Sequence, residues 1–198
     1  AGISYSDERA EAVEFSNFYW GDAYQTIVYN STETVTLTDE GKFAIELPEV
    51  FGSDYEDYDY LYADYAALGS NPVIIGMNHL LSKITVSIST MGTELSNDAV
   101  QSISSFNVPR TASWEVPTST PTDLGIANET TTLYANDTND DEVVDHYVGY
   151  ALPNAATTLG IRVTMDSGRS FAAQAPITDG LASGNHYLIS MKLGKDAV

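Results

Sequence analysis

Apolar and polar residues alternate along several segments of the chain. The clearest runs, at 84–88, 159–165 and 187–193, carry an apolar residue at every second position. A period of two is typical of a β-strand that buries one face. Helix-forming composition is limited to the first twenty residues and one short turn near residue 98, too little to organise a core. The pattern therefore predicts an all-β fold of antiparallel sheets.

Turn-forming sequences separate some of these runs. Asp-Glu-Gly at 39–41 lies between alternating residues at 35–37 and 43–47, and Asp-Ser-Gly at 166–168 follows the run that ends at Met165. A short turn sequence between two alternating runs indicates a β-hairpin. We therefore expect one hairpin at each of these two turns.

Two polar stretches divide the chain. Residues 52–72 are rich in aspartate and tyrosine and end in Gly-Ser-Asn-Pro, while residues 109–142 contain three prolines, many threonines and an acidic run. Clusters of this composition favour loops. We predict a small amino-terminal β lobe at 1–72 and a larger carboxy-terminal β-sandwich lobe at 73–198. The stretch 109–142 is expected to be a long excursion between strands.

Charge narrows the classes of partner. The chain has 28 acidic and 8 basic residues, which gives a net charge of −20. Nucleic acids and anionic membranes are bound through clustered lysine and arginine, and the basic residues here are scattered. We therefore expect no nucleic-acid partner. The sequence also lacks an apolar run long enough to predict a transmembrane segment.

Known catalytic signatures are missing from the sequence. It contains no cysteine, and it has no phosphate-binding loop, dinucleotide-binding, serine-hydrolase or zinc-protease motif. Paired carboxylates hydrolyse glycosides, but with 28 acids some pairs lie close together by chance. We therefore predict no catalytic residues, a protein that is not an enzyme, and no cofactor apart from a candidate calcium site.

That candidate calcium site lies in the acidic run. Asp137, Asn139 and Asp141 alternate along it, as oxygen ligands do in a calcium loop. The run lacks the glycine that permits the sharp turn of such loops, and Val148 stands where their final glutamate would be. A solvated acidic loop is the alternative that these differences favour.

A tyrosine-rich run at 54–65 offers a second candidate ligand site. Its candidate rings are Tyr55, Tyr58, Tyr60 and Tyr62. Tyrosine is common at recognition surfaces, and exposed rings can stack on sugars. The residues favour a strand at 60–63 flanked by a charged loop. The alternative function is therefore a carbohydrate- or calcium-binding β-sandwich module of a surface protein.

Several segments resemble one family of proteins. Residues 76–88, with His-Leu-Leu-Ser-Lys at 79–83 leading into an alternating strand, are similar to a segment of the fimbrillin superfamily, the type V pilins and Mfa-like surface proteins of Bacteroidetes. Residues 59–63, 152–164 and 181–189 resemble further segments of that family in the same order. The order and spacing of these segments together are more specific to the family than any single segment is.

The resemblance implies transthyretin-like β-sandwich lobes and a structural, adhesive role as a fimbrial (pilus) subunit, secreted to the cell surface at the outer membrane. In that family a protease, typically cutting after arginine, removes an amino-terminal strand, and a strand of a neighbouring subunit replaces it. An added strand pairs with an exposed sheet edge and covers apolar side chains. The implied partners are further copies of the chain, other pilin subunits, and a host or bacterial surface ligand.

Two terminal segments are candidates for the exchanged strand. One is 10–20, which follows a candidate cleavage site at Arg9 and belongs to a region, 1–20, that is either donated or cleaved. The other is the last alternating run, 187–193. The candidate strand-exchange residues are Val13, Phe15, Phe18, Tyr187, Ile189, Met191 and Leu193. A third alternative is a tip or accessory subunit that does not polymerise.

Overall fold

The computed structural model describes residues 24–29, 42–66, 77–115, 120–139, 141 and 143–194. These residues form fourteen β-strands and two single-turn 3₁₀ helices, at Tyr55–Tyr58 and Thr93–Leu95. The strands are β1 Tyr24–Tyr29, β2 Lys42–Glu46, β3 Leu61–Ala66, β4 Asn78–His79, β5 Ser82–Met91, β6 Val100–Val108, β7 Thr111–Glu115, β8 Asp123–Leu124, β9 Glu129–Thr132, β10 Tyr134–Asn136, β11 His146–Ala151, β12 Thr158–Met165, β13 Ser170–Pro176 and β14 His186–Leu193. The all-β prediction is confirmed.

Two four-stranded sheets form the main sandwich. Their strand orders are β10-β11-β5-β14 and β13-β12-β6-β9. Two three-stranded sheets, β1-β3-β4 and β2-β7-β8, complete the described strands. The strand pairs are antiparallel except for β14, which runs parallel to β5. The parallel pair departs from the expected antiparallel pattern because β14 is reached from the other sheet through a crossover, and not through a hairpin from β5.

Alternating apolar residues from the two main sheets meet in the core. Ile84 and Val86 of β5 pack in one continuous buried cluster with Ile103 of β6 and Ile161 and Val163 of β12. The polar residues between them occupy the outer faces, as a period of two requires. The runs at 84–88, 159–165 and 187–193 therefore lie in strands, as predicted.

The same cluster extends to the sheet β2-β7-β8. Phe43 of β2 stacks on Trp114 of β7 with 5.6 Å between ring centroids, and β2 pairs with β7 along its whole length. Strands from both sides of residue 72 thus pair with each other, and so do β3 and β4. The division into lobes at residue 72 stays a prediction.

The local predictions have different outcomes. The hairpin at 166–168 is confirmed, because the N–H of Gly168 donates to the carbonyl oxygen of Met165 at 2.8 Å and Gly168 has a φ of 82°. The other predicted turn, 39–41, lies outside the described residues, and the alternating residues that follow it lie mostly in β2. The long excursion at 109–142 is wrong, because it contains β7 to β10. These strands are only two to five residues long, too short for a clear apolar alternation, and β9 is mostly threonine, which suits a sheet.

Candidate functional site

The sandwich has an open edge between β13 and β14. Each of these strands is the last one in its four-stranded sheet among the strands that the structure describes. A groove of about 440 Å³ lies between them, lined by residues 171–176, residues 188–193 and Ile161. Of the side chains along it, only Lys192 is charged. We call this feature the edge groove.

One wall of the edge groove is β14, whose odd-numbered residues point inward. Tyr187, Ile189 and Met191 pack against the core but are only half-buried, whereas Leu193 at the end of the strand is buried. In a closed sandwich, the inward side chains of a strand pack between the two sheets and are buried. Their partial exposure shows that this side of the sheet lacks a covering layer among the described residues.

The other wall of the edge groove is β13. Phe171, Ala173 and Ala175 lie opposite inward residues of β12, with Ala173 directly beside Ile161. Phe171 and Ala175 are half-buried, and Ala173 is exposed although it faces the interior. Because a methyl group covers little of the space between two sheets, the alanines leave the floor of the groove open.

Several hydrogen bonds hold β14 in its own subunit. The hydroxyl of Tyr187 donates to the carbonyl oxygen of Gly180 at 2.8 Å and accepts from the N–H of Ala182 at 2.9 Å. At the other end, the N–H of Gly92 donates to the carbonyl oxygen of Leu193 at 2.7 Å. These bonds fix β14 as a structural part of the sandwich.

The beginning of β14 carries a histidine on the outer face of the sheet. Nε2 of His186 lies 2.8 Å from Oγ1 of Thr85 on β5. Desolvation lowers the pKa of His186, and electrostatic interaction with Lys83 and His146 lowers it further. The imidazole is therefore neutral near pH 7, and this end of the edge strand is sensitive to acid.

The structure places the four candidate tyrosines in different environments. Tyr60 and Tyr62 are 5% and 8% exposed and belong to the core, at the start of β3. The prediction of a strand here is confirmed. These two rings are therefore not exposed stacking surfaces, because Tyr60, just before β3, and Tyr62, within it, both pack in the core.

Tyr55 and Tyr58 remain partly accessible. The ring of Tyr55 stacks on Tyr134 at a centroid distance of 5.6 Å, and Nζ of Lys83 lies 5.4 Å from the Tyr55 centroid. Burial raises the pKa of Tyr55, and the carboxylate of Glu56 raises it further, so its hydroxyl stays protonated. The ligand role of these tyrosines stays a prediction.

The candidate calcium residues lie in a loop between β10 and β11. Their side-chain oxygens accept hydrogen bonds from the backbone two residues further on: Asp137 from Asn139 at 3.2 Å, Asn139 from Asp141 at 3.1 Å, and Asp141 from Val143 at 2.9 Å. Such Asx turns order a loop by themselves. Within the described residues, no cluster of three or more His, Cys, Asp or Glu side chains is arranged to hold a metal. Calcium binding stays a prediction.

The remaining candidates lie outside the described residues. These are Arg9, Val13, Phe15 and Phe18. Among the residues that are described, no helix combines the length and the hydrophobicity needed to cross a membrane.

Sequence reasoning missed the β13 side of the edge groove. Residues 171–176 read Phe-Ala-Ala-Gln-Ala-Pro, which gives no clear alternation because alanine is small and occurs on both faces. The sequence did show that this segment follows the predicted hairpin turn at 166–168, which indicates a second strand there. A strand of small residues beside a strand of large ones indicates a depression in the surface.

Solved structures show the same fold. A candidate cell adhesion protein from Bacteroides uniformis matches 88% of this chain over 69% of its own length, with a TM-score of 0.66 and 19% identity. A second one, from Bacteroides ovatus, matches 90% of this chain over 66% of its own length, with a TM-score of 0.62 and 15% identity. The tip fimbrial protein Mfa3 from Porphyromonas gingivalis, truncated at its C-terminus, matches 87% of this chain over 76% of its own length, with a TM-score of 0.53 and 12% identity. Identities this low establish a common fold alone.

Sequence comparison supplies the family. No curated protein sequence matches the chain significantly. A profile of the family described as Fimbrillin-like, however, matches residues 3–198. This match covers every segment that resembled the fimbrillins, from 59–63 to 181–189. The chain therefore belongs to the fimbrillin-like family.

Proposed function

We propose that the chain is a structural and adhesive protein of the bacterial cell surface, a fimbrial subunit that associates with other subunits by β-strand exchange. Family membership supports the fimbrial role. Among the structures with this fold, one is a tip fimbrial protein and others are candidate cell adhesion proteins. The protein acts through its surfaces and not through catalysis, and its place is the outer-membrane surface or the fimbrium.

The observation that carries this proposal is the edge groove. Soluble proteins blunt the edges of their sheets with charges, prolines or covering loops, because an open edge invites another strand. Here Tyr187, Ile189 and Met191 on β14 are only half-buried, and Lys192 is the only charged side chain along the groove. An incoming strand would pair with backbone groups and cover apolar side chains in one step.

In this proposal β14 is the acceptor strand. The bonds of Tyr187 and the burial of Leu193 hold β14 to its own sheet. Detaching it would uncover the edge of the neighbouring strand β5, which carries the core residues Ile84 and Val86. Of the two terminal segments, 187–193 therefore suits the acceptor and 10–20 the donor.

The test uses assembly of the purified chain. We expect SDS-resistant ladders on unboiled gels, and filaments or short oligomers by electron microscopy, before or after limited trypsin treatment. Ala173→Glu places a charge in the edge groove and should suppress these species. Ala172→Glu is the matched control, since Ala172 also borders the groove but lies opposite Arg162 on the outer face. Protein that stays monomeric after cleavage would contradict a polymerising subunit.

Carbohydrate binding is a second candidate function. The half-buried stack of Tyr55 on Tyr134, with Lys83 beside it, supplies aromatic and polar groups on one face. A glycan array with the natural chain and Tyr55→Ala tests it. Binding that is unchanged in Tyr55→Ala removes this stack as the site.

Calcium binding is tested separately by thermal melts with and without a chelator, because a bound ion raises the melting temperature.

A further inference from the structure

The geometry points to a carboxylated sugar as the ligand of the outer face of the sheet β10-β11-β5-β14. The residues that form this site are Tyr55, Lys83, Thr85, Tyr134 and His186, and we call them the tyrosine–lysine face. This inference rests on the carbohydrate-binding candidate proposed above, and it names the class of sugar and the residue that selects it. It does not depend on strand exchange at the edge groove.

The strand register brings the polar side chains of this site to one face. Tyr150 of β11 pairs with Lys83 of β5, and Lys83 pairs with His186 of β14. Paired residues of neighbouring strands point to the same side of a sheet, and the next residue, Ile84, packs in the core on the other side. Neighbouring strands are about 4.8 Å apart, so this row of three residues spans about 10 Å. It forms an extended surface on the outside of the sandwich.

A 3₁₀ helix adds an aromatic ring to this surface. The helix Tyr55–Tyr58 places the ring of Tyr55 5.6 Å from that of Tyr134 and 6.5 Å from that of Tyr150, measured between centroids. Tyr150 is buried, whereas Tyr55 and Tyr134 are half-buried. The accessible part of these two rings is a surface on which the apolar face of a sugar ring can pack.

Lys83 supplies a positive charge beside the rings. Its Nζ lies 5.4 Å from the centroid of Tyr55, and the residue is half-buried. No carboxylate of the described residues forms an ion pair with this ammonium group, although the chain has 28 acidic residues against 8 basic ones. A partly desolvated cation without a counterion is stabilised by an anionic ligand, because a charge-assisted hydrogen bond replaces the lost water.

The two acids that act electrostatically on this face have partners of their own. Glu56 accepts a hydrogen bond from the hydroxyl of Tyr55 at 3.2 Å, and Oδ1 of Asp59 lies 2.8 Å from Nδ1 of His79. Burial raises the pKa of Tyr150, and the charges of Asp59 and Glu56 raise it further. The hydroxyl of Tyr150 therefore stays protonated, and the ammonium group beside it is left for a ligand.

Uncharged polar groups surround the aromatic and charged parts of the site. Nε2 of His186 lies 2.8 Å from Oγ1 of Thr85, and Nδ2 of Asn136 lies 3.2 Å from Nε2 of His146 on the same sheet. Hydroxyl, amide and imidazole groups suit sugar hydroxyls, which both donate and accept hydrogen bonds. A neutral sugar would use these groups and the rings alone. A carboxylated sugar would use Lys83 as well.

Binding of matched sugars to the purified chain tests the inference. Sialyllactose carries a carboxylate that lactose lacks, and trigalacturonate differs in the same way from galactotriose. In at least one of these pairs, we expect the acidic sugar to bind about tenfold more tightly, because it gains a charged hydrogen bond. The preference should shrink in about 0.5 M sodium chloride, which screens the charge. Isothermal titration calorimetry measures the affinities.

Three variants locate the selecting group. Lys83→Gln should abolish the preference and weaken binding of the acidic sugar about tenfold. Lys83→Arg keeps the charge and should retain the preference. Arg162→Gln is the matched control, because Arg162 also lies over an aromatic ring, 5.0 Å from the centroid of Phe106, on the other main sheet. It should leave both affinities unchanged. Thermal melts check that each variant is folded.

The outcomes separate this inference from the proposed function. Equal affinity for the acidic and neutral sugars of both pairs overturns the choice of a carboxylated sugar, while carbohydrate binding itself stands. A preference that survives in Lys83→Gln, or is lost equally in Arg162→Gln, overturns Lys83 as the selecting residue. If Lys83→Gln does not fold, the natural chain decides, since a preference that salt leaves unchanged overturns the inference. Absence of binding to any of the four sugars overturns it together with the carbohydrate-binding candidate.

Discussion

The two lateral edges of the main sandwich differ, although both are built from the same two sheets. At the edge of β9 and β10, the chain passes directly from one sheet to the other through Leu133, which is 4% exposed. A second segment covers this edge, because the N–H of Phe51 donates to the carbonyl oxygen of Thr132 at 2.9 Å and the N–H of Thr132 donates to that of Glu49 at 2.8 Å. At the edge of β13 and β14, the edge groove remains.

The difference shows that a covering segment, and not the strands themselves, completes the core at an edge. Leu133 is buried because residues 49–51 and the β9–β10 crossing surround it. Ile189 and Met191 are as apolar as Leu133, yet they stay half-buried because no described strand lies beyond β14. The closed edge contributes stability, and the open edge is the interaction surface that we propose.

The largest expected effect comes from leucine truncation at the closed edge. Leu133→Ala should lower the free energy of unfolding by about 2–5 kcal/mol, since it leaves a cavity in a packed core. Leu188→Ala on β14 is the matched control, because Leu188 is 74% exposed, and it should change stability by less than about 0.5 kcal/mol. Urea denaturation of both variants measures the difference. Equal losses would refute the distinction between the edges.

A smaller effect is expected from overfilling the closed edge. A Cβ added at Gly149 would lie 2.6 Å from Cδ2 of Phe51 and 2.9 Å from Cδ2 of Leu133. Gly149→Ala should therefore displace the covering segment and cost about 1–3 kcal/mol. The measurement is again urea denaturation, with limited proteolysis near residue 51 as a second readout. A variant as stable as the natural chain would show that the covering segment is not tightly packed.

At the open edge, Tyr187→Phe removes one hydroxyl. The carbonyl oxygen of Gly180 and the N–H of Ala182 each lose a partner. We expect a loss of about 1–2 kcal/mol, because partly buried polar groups without a partner are costly. Hydrogen exchange of the β14 amides should accelerate as well. Unchanged exchange would mean that the Tyr187 hydroxyl does not hold β14 in place.

The smallest effect concerns acid. Burial and nearby positive charge lower the pKa of His186 in the fold below its ordinary value of 6.5. The neutral form is therefore favoured in the folded state. Neutral His186 therefore adds to the free energy of unfolding above pH 6.5. This contribution is lost as the pH falls through the lowered pKa. His186→Gln should lose less stability than the natural chain between pH 7 and pH 5, measured by urea denaturation at both values. Equal losses would contradict this sign.

The strands with regular alternation could be predicted from the sequence because alternation is a local property. Residues 84–88 place three apolar side chains on one face of a strand, and residues 159–165 place four. These short patterns are enough to identify β5 and β12. The turn at 166–168 was predictable for the same reason, since its glycine takes a conformation that other residues avoid. Family membership followed from the order of such segments.

Other features could not be predicted, because they depend on residues that are distant in sequence. The short strands β7 to β10 are two to five residues long and depend on pairing with other segments, as β7 does with β2 and β9 with β6. The sequence predicts a strand at 60–63, but the burial of Tyr60 and Tyr62 depends on the segments that pack against them. A pattern along one segment carries no information about which segment lies beside it.

The sequence by itself determined the all-β class, the main strands, the acidic surface and the family. Only the tertiary structure decided that β14 runs parallel to β5, that one sandwich edge is closed by Leu133, and that Ala173 lies in a groove at the other. Alternation fixes which side of a strand is apolar. Whether that side is covered depends on long-range pairing, and so the candidate interaction surface appears only when the sheets are assembled.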